Sequence, residues 1–485
     1  MLAAAKLLPV ATALLYGETR SLLAFLATAA LTALIGAALM RVGRGADMRQ
    51  LYRRDGILIV VGGWMLASLF GALPYWLSGT VDAPVDALFE AASGFTTTGA
   101  TILLDIEAAD RAVLLWRSFT QWLGGMGIIV LFVALLSELG PGARFLYKLE
   151  VPGPTAETLH PRVHDTASAL WRIYLVLSVA QMLLLLAAGL SLYDALTHTF
   201  STMSTGGFSP HGASIAAFES ALVEWIVIAF MVLAGANFSL YIGLRQAGLR
   251  GSLFGGHALR TFLRDTELRV YLLLIGLFSL LIVLDLRRAG DEAMTTWAAV
   301  PELARDALFQ VVSVLTTTGF ATADFDTWPA TSKALLAALL FVGGCAGSTA
   351  GGMKVMRLVV ALRAAMREVQ QIFRPSAVLA VFVARRAVPE AVVRSVMGFF
   401  ILYIALWGTG TLLLAAGGNV DLISAATASI TTLGNVGPGL AAVGPSQNFA
   451  FFFDWQKLLM VLLMWLGRLE VYVIVALFSP AFWRR

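Results

Sequence analysis

Ten apolar runs constrain this chain more than anything else in it: residues 2–16, 21–40, 56–78, 112–137, 168–192, 222–244, 270–286, 334–352, 392–416 and 458–478. About 20 consecutive apolar residues let an α-helix cross the hydrocarbon core of a bilayer. Composition agrees, because only 13% of the residues are charged, where about 25% is usual for a soluble domain. A soluble globular fold is excluded, and the expected class is an all-α polytopic membrane protein. The single cysteine, Cys345, rules out internal disulfides and Cys-based zinc or iron–sulfur sites.

The charges between the runs set an orientation. Segments 41–55, 138–168, 245–269, 354–394 and 484–485 hold 23 Lys or Arg. Segments 79–111, 193–223, 285–335 and 417–457 hold 6, with 17 Asp or Glu. The positive-inside rule therefore predicts that the first set and both termini are cytoplasmic and the second set external. In a membrane protein the place of the charge matters more than the net +4, so that sum is no sign of a nucleic-acid partner. The first run is short, but no small-residue cleavage site follows Tyr16 and a second run begins at once. A retained helical hairpin is expected there rather than a cleaved signal sequence.

Each external segment contains a helical stretch too short to span, which predicts re-entrant helices. Backbone of that kind is tolerated only when it is buried in protein or lines water. Residues 86–99 (DALFEAASGFTTTG) match 306–319 (DALFQVVSVLTTTG) almost position for position, 194–206 (DALTHTFSTMSTG) is one residue shorter, and 421–434 (DLISAATASITTLG) is a looser copy. The final glycines lie 107, 113 and 115 residues apart. This spacing predicts two leading helices (1–45) and four pseudo-symmetric helix/pore-loop/helix repeats around one pore, at 46–140, 141–250, 251–375 and 376–485. An amphipathic interfacial helix is the competing reading of any one copy, and four copies between paired spans argue against it.

Asp86, Asp194, Asp306 and Asp421 are expected to cap the short helices, whose partly negative C-terminal ends then converge on an axis and favour a cation. After each helix comes a hydroxyl-rich turn: Thr97, Thr98, Gly99 and Ala100; Ser204, Thr205, Gly206 and Gly207; Thr317, Thr318, Gly319 and Phe320; Thr432, Leu433, Gly434 and Asn435. Stacked rings of carbonyls from such turns replace the water shell of a monovalent cation. A Ca²⁺ site would instead recruit Asp or Glu.

At these residues, and over nearly its whole length, the chain resembles the Trk/Ktr/HKT superfamily of potassium transporters, most closely the bacterial TrkH type. The loops TTTGAT, STGGFS, TTTGFAT and TLGNVGPG carry the resemblance, and residues 432–439 are the most specific part. The resemblance implies a multi-pass homodimer in the bacterial inner membrane, each protomer with its own pore. It implies K⁺ as substrate and one filter glycine per repeat, here Gly99, Gly206, Gly319 and Gly434. Retention of Gly99, where plant sodium-transporting relatives can carry Ser, favours potassium. Leu433 departs from the hydroxyl middle residue of the other loops. The resemblance also implies a cytosolic nucleotide-binding regulatory subunit of the TrkA type docking on the Arg-rich cytoplasmic segments, with no cofactor bound by this chain.

Residues 343–352 hold five glycines in Gly343, Gly344, Cys345, Ala346, Gly347, Ser348, Thr349, Ala350, Gly351 and Gly352. At about 1 kcal/mol per Gly relative to Ala, such a run does not remain a regular helix. It reads as an intramembrane gate below the filter, with a close helix-packing face as the competing reading. TrkH-type proteins carry a flexible loop at this place. Arg468, inside the last run, needs water, a partner or the pore. Pairing with Glu470 is one reading; the resemblance implies instead that it projects into the pathway and contacts the gating loop. Lys354 extends the barrier or anchors the cytoplasmic face.

Other motifs carry less. His160, His164 and Asp165 lack a third convincing zinc ligand. Gly125 and Gly127 form no nucleotide fingerprint, since no strand precedes them. Asp82, Asp105, Glu107, Asp324 and Asp326 read as a solvated rim that concentrates cations. No enzyme is expected. A membrane enzyme is the remote alternative, and an H⁺- or Na⁺-coupled symporter the nearer one.

Overall fold

The computed structural model describes residues 1–45, 53–138, 163–249, 264–289, 300–377, 379–384 and 386–483. Helix dominates, and the strands among the described residues form one hairpin pairing Phe382–Val383 with Arg386–Ala387. Among the described residues five helices are long and apolar enough to cross a membrane: Thr19–Val42, Arg54–Leu77, Ala167–Ala187, Thr266–Ala289 and Glu390–Ala416. A sixth crossing is made if Asp454–Arg468 and Val471–Leu477, bent by 119°, count as one.

The ten expected runs are thus not ten unbroken crossings. Run 222–244 divides into Ala221–Gly235 and Phe238–Leu249, because Ala236 is extended. Run 334–352 stops helically at Leu339. The last run turns at Glu470, a non-glycine residue at φ 63°. The first run is split by Lys6 into Leu2–Ala5 and Leu7–Tyr16.

Lys6 is fully buried, which its chemistry forbids unless acceptors surround it. Its ammonium donates to Thr28 O (3.3 Å), Thr32 Oγ1 (3.0 Å) and Phe70 O (3.0 Å). Phe70 is four residues before Pro74, which lies inside the helix Arg53–Leu77 and has no N–H to give its carbonyl. The lysine fills the vacancy made by the proline. At the far end of the same hairpin Glu18 accepts from the leading N–H groups of Arg111 (2.7 Å) and Ala112 (3.0 Å).

Four short helices lie between the longer ones: Pro84–Phe95, Leu192–Met203, Val300–Leu315 and Leu422–Gly434. Their C-terminal halves are buried throughout, as in the unbroken stretch from Phe89 to Phe95. Each leads into a loop and then a further helix, beginning at Arg111, Ala221, Ala330 and Asp454.

Only Asp421 caps its short helix in the expected way, accepting from Ile423 N and Ser424 N, both at 3.3 Å. Elsewhere the start lies earlier than the aspartate. Pro84 occupies the first turn ahead of Asp86, Ser191 caps ahead of Asp194, and the third helix begins at Val300, ahead of Asp306. Asp86 is ion-paired with Lys457 instead, at 2.5 Å.

Candidate ion pathway

Each short helix ends in the same backbone sequence. A left-handed residue comes first: Thr97 (φ 55°), Thr205 (54°), Thr317 (57°) and Asn435 (54°). Two residues later comes a left-handed glycine: Gly99 (82°), Gly207 (77°), Gly319 (81°) and Gly437 (98°). Positive φ is strained for a β-branched residue, so three threonines held within a few degrees are imposed by their surroundings.

The loops close a ring. A Cβ added to Gly99 would collide with Gly206 O, one on Gly207 with Thr318 O, and one on Gly319 with Val436 O. One on Gly437 would sit 2.7 Å from Thr98 O. Loop 1 thus abuts loop 2, loop 2 abuts loop 3, loop 3 abuts loop 4, and loop 4 returns to loop 1. Glycine is required four times over, by its own φ and by the neighbour's carbonyl.

This register corrects two of the expected glycines. Gly206 and Gly434 do not have positive φ, and Gly434 is the last residue of its helix. Thr432 and Leu433 are likewise helical, and Leu433 is buried with its carbonyl packed on Gly467. The equivalent stretches are 97–99, 205–207, 317–319 and 435–437. A cavity of about 420 Å³ is lined by Gly99, Gly207, Gly319 and Gly437 together, with Asp105 and Glu107 at its wall.

Side chains lock the ring from behind. Gln121 donates to Gly206 O (2.7 Å) and accepts from Phe208 N (3.1 Å). Asn435 donates to Thr98 Oγ1 and to Met464 O, both at 3.0 Å. At the mouth, His211 Nε2 lies 3.0 Å from Asp194 Oδ1 and its other nitrogen 3.9 Å from Glu107. The Asp194 hydrogen bond holds the imidazole pKa above its usual value, against the effect of burial. Burial raises the Asp194 carboxyl, yet its bonds to His211 and Ser191 prevail and leave it below the usual range.

Beneath the ring lies the glycine-rich segment, non-helical between Leu340 and Val355. Breaking the helix at Gly235 frees its last carbonyls. Gly235 O accepts from Cys345 N (2.8 Å), and Ala234 O accepts from Thr349 Oγ1 (3.2 Å). Thr349 Oγ1 also bonds Met203 O, the C-terminal end of the second short helix, at 3.1 Å. Gly351 N donates to Thr317 Oγ1 at 2.7 Å, and Gly351 packs on Gly434 O so closely that a Cβ has no room. The segment therefore touches the inner ends of three of the four short helices. Gly343 N bonds Met353 O (2.7 Å), and Glu267 accepts from both Ala346 N (2.8 Å) and Met356 N (3.0 Å).

Arg468 is buried at the bend of the last helix pair and donates to Thr349 O (2.7 Å) and Gly124 O (3.3 Å). It does not pair with Glu470, which is taken by Arg357 at 2.6 Å. Lys354 donates to Ala350 O. Gly344, Ala346, Gly347, Ser348, Ala350 and Gly352 complete the segment, with left-handed turns at Gly347 and Gly352.

Comparison with known proteins places this geometry. A family model described as TrkH, cation transport protein, matches residues 22–485. The chain belongs to the TrkH family. It is 41% identical over 455 residues to the Trk system potassium uptake protein TrkH of Halomonas elongata, covering 92% of this chain and 90% of that one. Identity to TrkH of Escherichia coli K12 is 39% over 442 residues, covering 90% and 87%. TrkG of the same organism is 36% identical over 479 residues, covering 98% and 94%. The crystal structure of the potassium transporter TrkH from Vibrio parahaemolyticus superposes with a TM-score of 0.87 at 35% identity, covering 100% of this chain and 97% of that one.

Membership of the TrkH family makes this a multi-pass membrane transport protein and sets an enzyme reading aside. Three residues that hold the TrkH-family geometry were not singled out from sequence: Gln121, Glu267 and Gly437. Gln121 stood as a polar group in an apolar run, a signal of buried function, whereas Glu267 stood three residues ahead of one, in a segment read as cytoplasmic. Gly437 stood two residues after Asn435, a residue tolerant of left-handed backbone. His160 lies outside the described residues, as do the side chains of His164 and Asp165. Gly125 is a packing residue, whose added Cβ would meet Ser204.

Proposed function

We propose that this chain carries K⁺ into the cell through a filter made by residues 97–99, 205–207, 317–319 and 435–437, gated by residues 343–352. The observation that carries this reading is the closed ring of four left-handed glycines at the base of the outer cavity. Carbonyls of the ring replace the hydration shell of a dehydrated monovalent ion. The similar proteins named as potassium uptake proteins support K⁺ as that ion.

The inner half supplies the gate. The glycine-rich segment obstructs the axis, and the Arg468 guanidinium adds a positive charge that a cation must pass. Opening requires the segment to leave Gly235, Met203 and Thr317 and to break its bond with Arg468. In this reading both termini are cytoplasmic, the repeats divide as 46–140, 141–250, 251–375 and 376–485, and two copies associate in the inner membrane. A cytosolic nucleotide-binding subunit of the TrkA type supplies the work of opening through the Arg-rich inner face.

Inward flux is then downhill, driven by an inside-negative potential contributing about 2.3 kcal/mol per 100 mV per charge. Reversal potentials of the reconstituted protein test this. A potential that follows the K⁺ gradient alone supports a channel. One that moves with pH or Na⁺ at fixed K⁺ shows coupled transport and overturns the downhill mechanism.

A further inference from the structure

The four short helices differ at one buried position, seven residues before the left-handed residue of each loop. It holds Glu90, His198, Gln310 and Ala428, all without exposure to solvent. In three repeats this side chain grips the strand that leaves the ring. Glu90 accepts from Thr101 Oγ1 and Ile102 N, both at 3.0 Å. His198 Nε2 lies 3.0 Å from Ser209 Oγ. Gln310, in the amide orientation that satisfies both its atoms, accepts from Thr322 N (2.9 Å) and Ala323 N (3.1 Å). In the fourth, alanine cannot reach, and the adjacent Thr427 accepts from Leu440 N at 3.2 Å.

Only the first grip is a carboxyl side chain, and it has a basic partner. Arg117 is the seventh residue of the helix Arg111–Glu138; the seventh residues of the three helices that follow the other loops are Val227, Leu336 and Met460, all buried and apolar. Its Nε lies 2.6 Å from Glu90 Oε1. Its other nitrogens donate to Thr101 Oγ1 of loop 1 (3.1 Å) and Ser209 O of loop 2 (3.2 Å), and the guanidinium lies 4.1 Å over the Phe208 ring. Both charges are stripped of water, which folding alone does not favour over an apolar pair of the same volume. Arg117 therefore fastens two neighbouring strands to each other, a task that a single short helix cannot perform.

We propose that Glu90 and Arg117 are positioning residues for ion selection. Their pair fixes the separation of the strands leaving loops 1 and 2, and hence the ring built by Thr98, Gly99, Gly206 and Gly207. The proposal rests on the filter reading above. Arg117 also lines the outer cavity, so Glu90 has a second task in neutralising a guanidinium at the cation entrance.

The test is Rb⁺ and Na⁺ uptake by the full-length protein in liposomes, per unit of monodisperse protein. Glu90→Gln with Arg117→Met installs side chains this molecule already uses at the equivalent places and leaves no orphan charge. The expected result is retained Rb⁺ uptake with the Na⁺ to Rb⁺ ratio raised about tenfold, the size set by losing one charge-assisted hydrogen bond. Glu90→Gln alone is expected to raise the ratio and also depress uptake of both ions, because the guanidinium is then unneutralised. Arg117→Lys keeps the charge and loses the fork, and serves if the double variant does not fold; its ratio should rise as well. Removing the remote pair Arg305–Glu224, at 2.5 Å between repeats 2 and 3, is expected to alter yield and not the ratio.

A parental ratio in the folded double variant, or in Arg117→Lys, overturns the proposal, as does an equal shift from the remote pair. Gly99→Ser separates this failure from that of the filter itself. If Gly99→Ser leaves the ratio unchanged, the filter assignment falls; if it shifts the ratio and the brace variants do not, only the brace falls.

Discussion

The outer and inner halves of this molecule follow opposite rules. In the outer half four loops repeat one backbone, with left-handed residues at 54–57° and glycines at 77–98°. In the inner half the helices after those loops end in four different ways. The first runs on as Arg111–Glu138, the second breaks after Gly235, the third gives way to the glycine-rich segment after Leu339, and the fourth bends by 119°. An axis can be ringed by four equal parts but blocked by only one. On the proposed gating, symmetry is kept where the ring needs it and abandoned where a single plug needs room and partners.

The largest expected effect separates the two glycines of the fourth loop. Gly437→Ala places a side chain at φ 98° and 2.7 Å from Thr98 O, whereas at Gly434 the nearest atoms stand 3.3 Å away in helical backbone. Strain of about 1–3 kcal/mol at a forbidden φ should abolish Rb⁺ over Na⁺ preference or folding in Gly437→Ala. Gly434→Ala should keep both. The reverse order of severity would show that the loop is out of register and the outer ring is not fourfold.

Next comes the inner half, where Arg468→Ala deletes the donors to Thr349 O and Gly124 O. Loss of a charged hydrogen bond, about 1.5–3 kcal/mol, should raise Rb⁺ uptake without the regulatory subunit by tenfold or more at unchanged ion preference. A change in preference would show that the halves are not separable. Glu267→Gln should act in the same direction and more weakly, since Ala346 N and Met356 N both donate to Oε1, and the amide oxygen keeps that acceptor without the charge. Equal uptake by Glu267→Gln and Glu267→Ala would remove that clamp from the gate.

How far this division could be read in advance depends on the loop. TTTG in repeats 1 and 3 fixes its own register, because one glycine follows the hydroxyl run. STGG in repeat 2 offers two glycines, and the choice of Gly207 is made by Thr318 O, more than a hundred residues away in the chain. In repeat 4, TLG imitates TTG inside a helix, while Asn435 takes the left-handed position. The broken third helix was legible from glycine density, and the break at Ala236 left a fainter mark, the Gly235 and Asn237 that flank it in an otherwise apolar run. Asn237 caps the next helix by accepting from Ser239 N at 2.8 Å, while the partner of the freed Gly235 carbonyl, Cys345 N, lies more than a hundred residues away.

The smallest expected effect concerns the mouth. His211 gains its raised pKa from Asp194, so its stabilising bond is complete below about 6.5, the unfolded value, and is lost as pH rises through the folded one. Asp194, held low, contributes above its unfolded value and stays ionised throughout this range. With Glu107 and neighbouring His198 completing the cluster, the melting temperature in detergent should fall slightly from pH 6 to pH 8. His211→Gln should flatten that slope, and a slope that persists would assign the titration elsewhere.

One feature of the inner half makes it observable without engineering. Cys345 is the sole sulfhydryl in the sequence, and it lies fully buried in the middle of the glycine-rich segment, held through its N–H to Gly235 O. The thiol is sealed while the segment is docked and is reached by reagent only when the segment departs. On the proposed gating, the chain carries its own clock: the rate at which a maleimide consumes that one group counts excursions of the segment, in the unaltered chain and in every variant above.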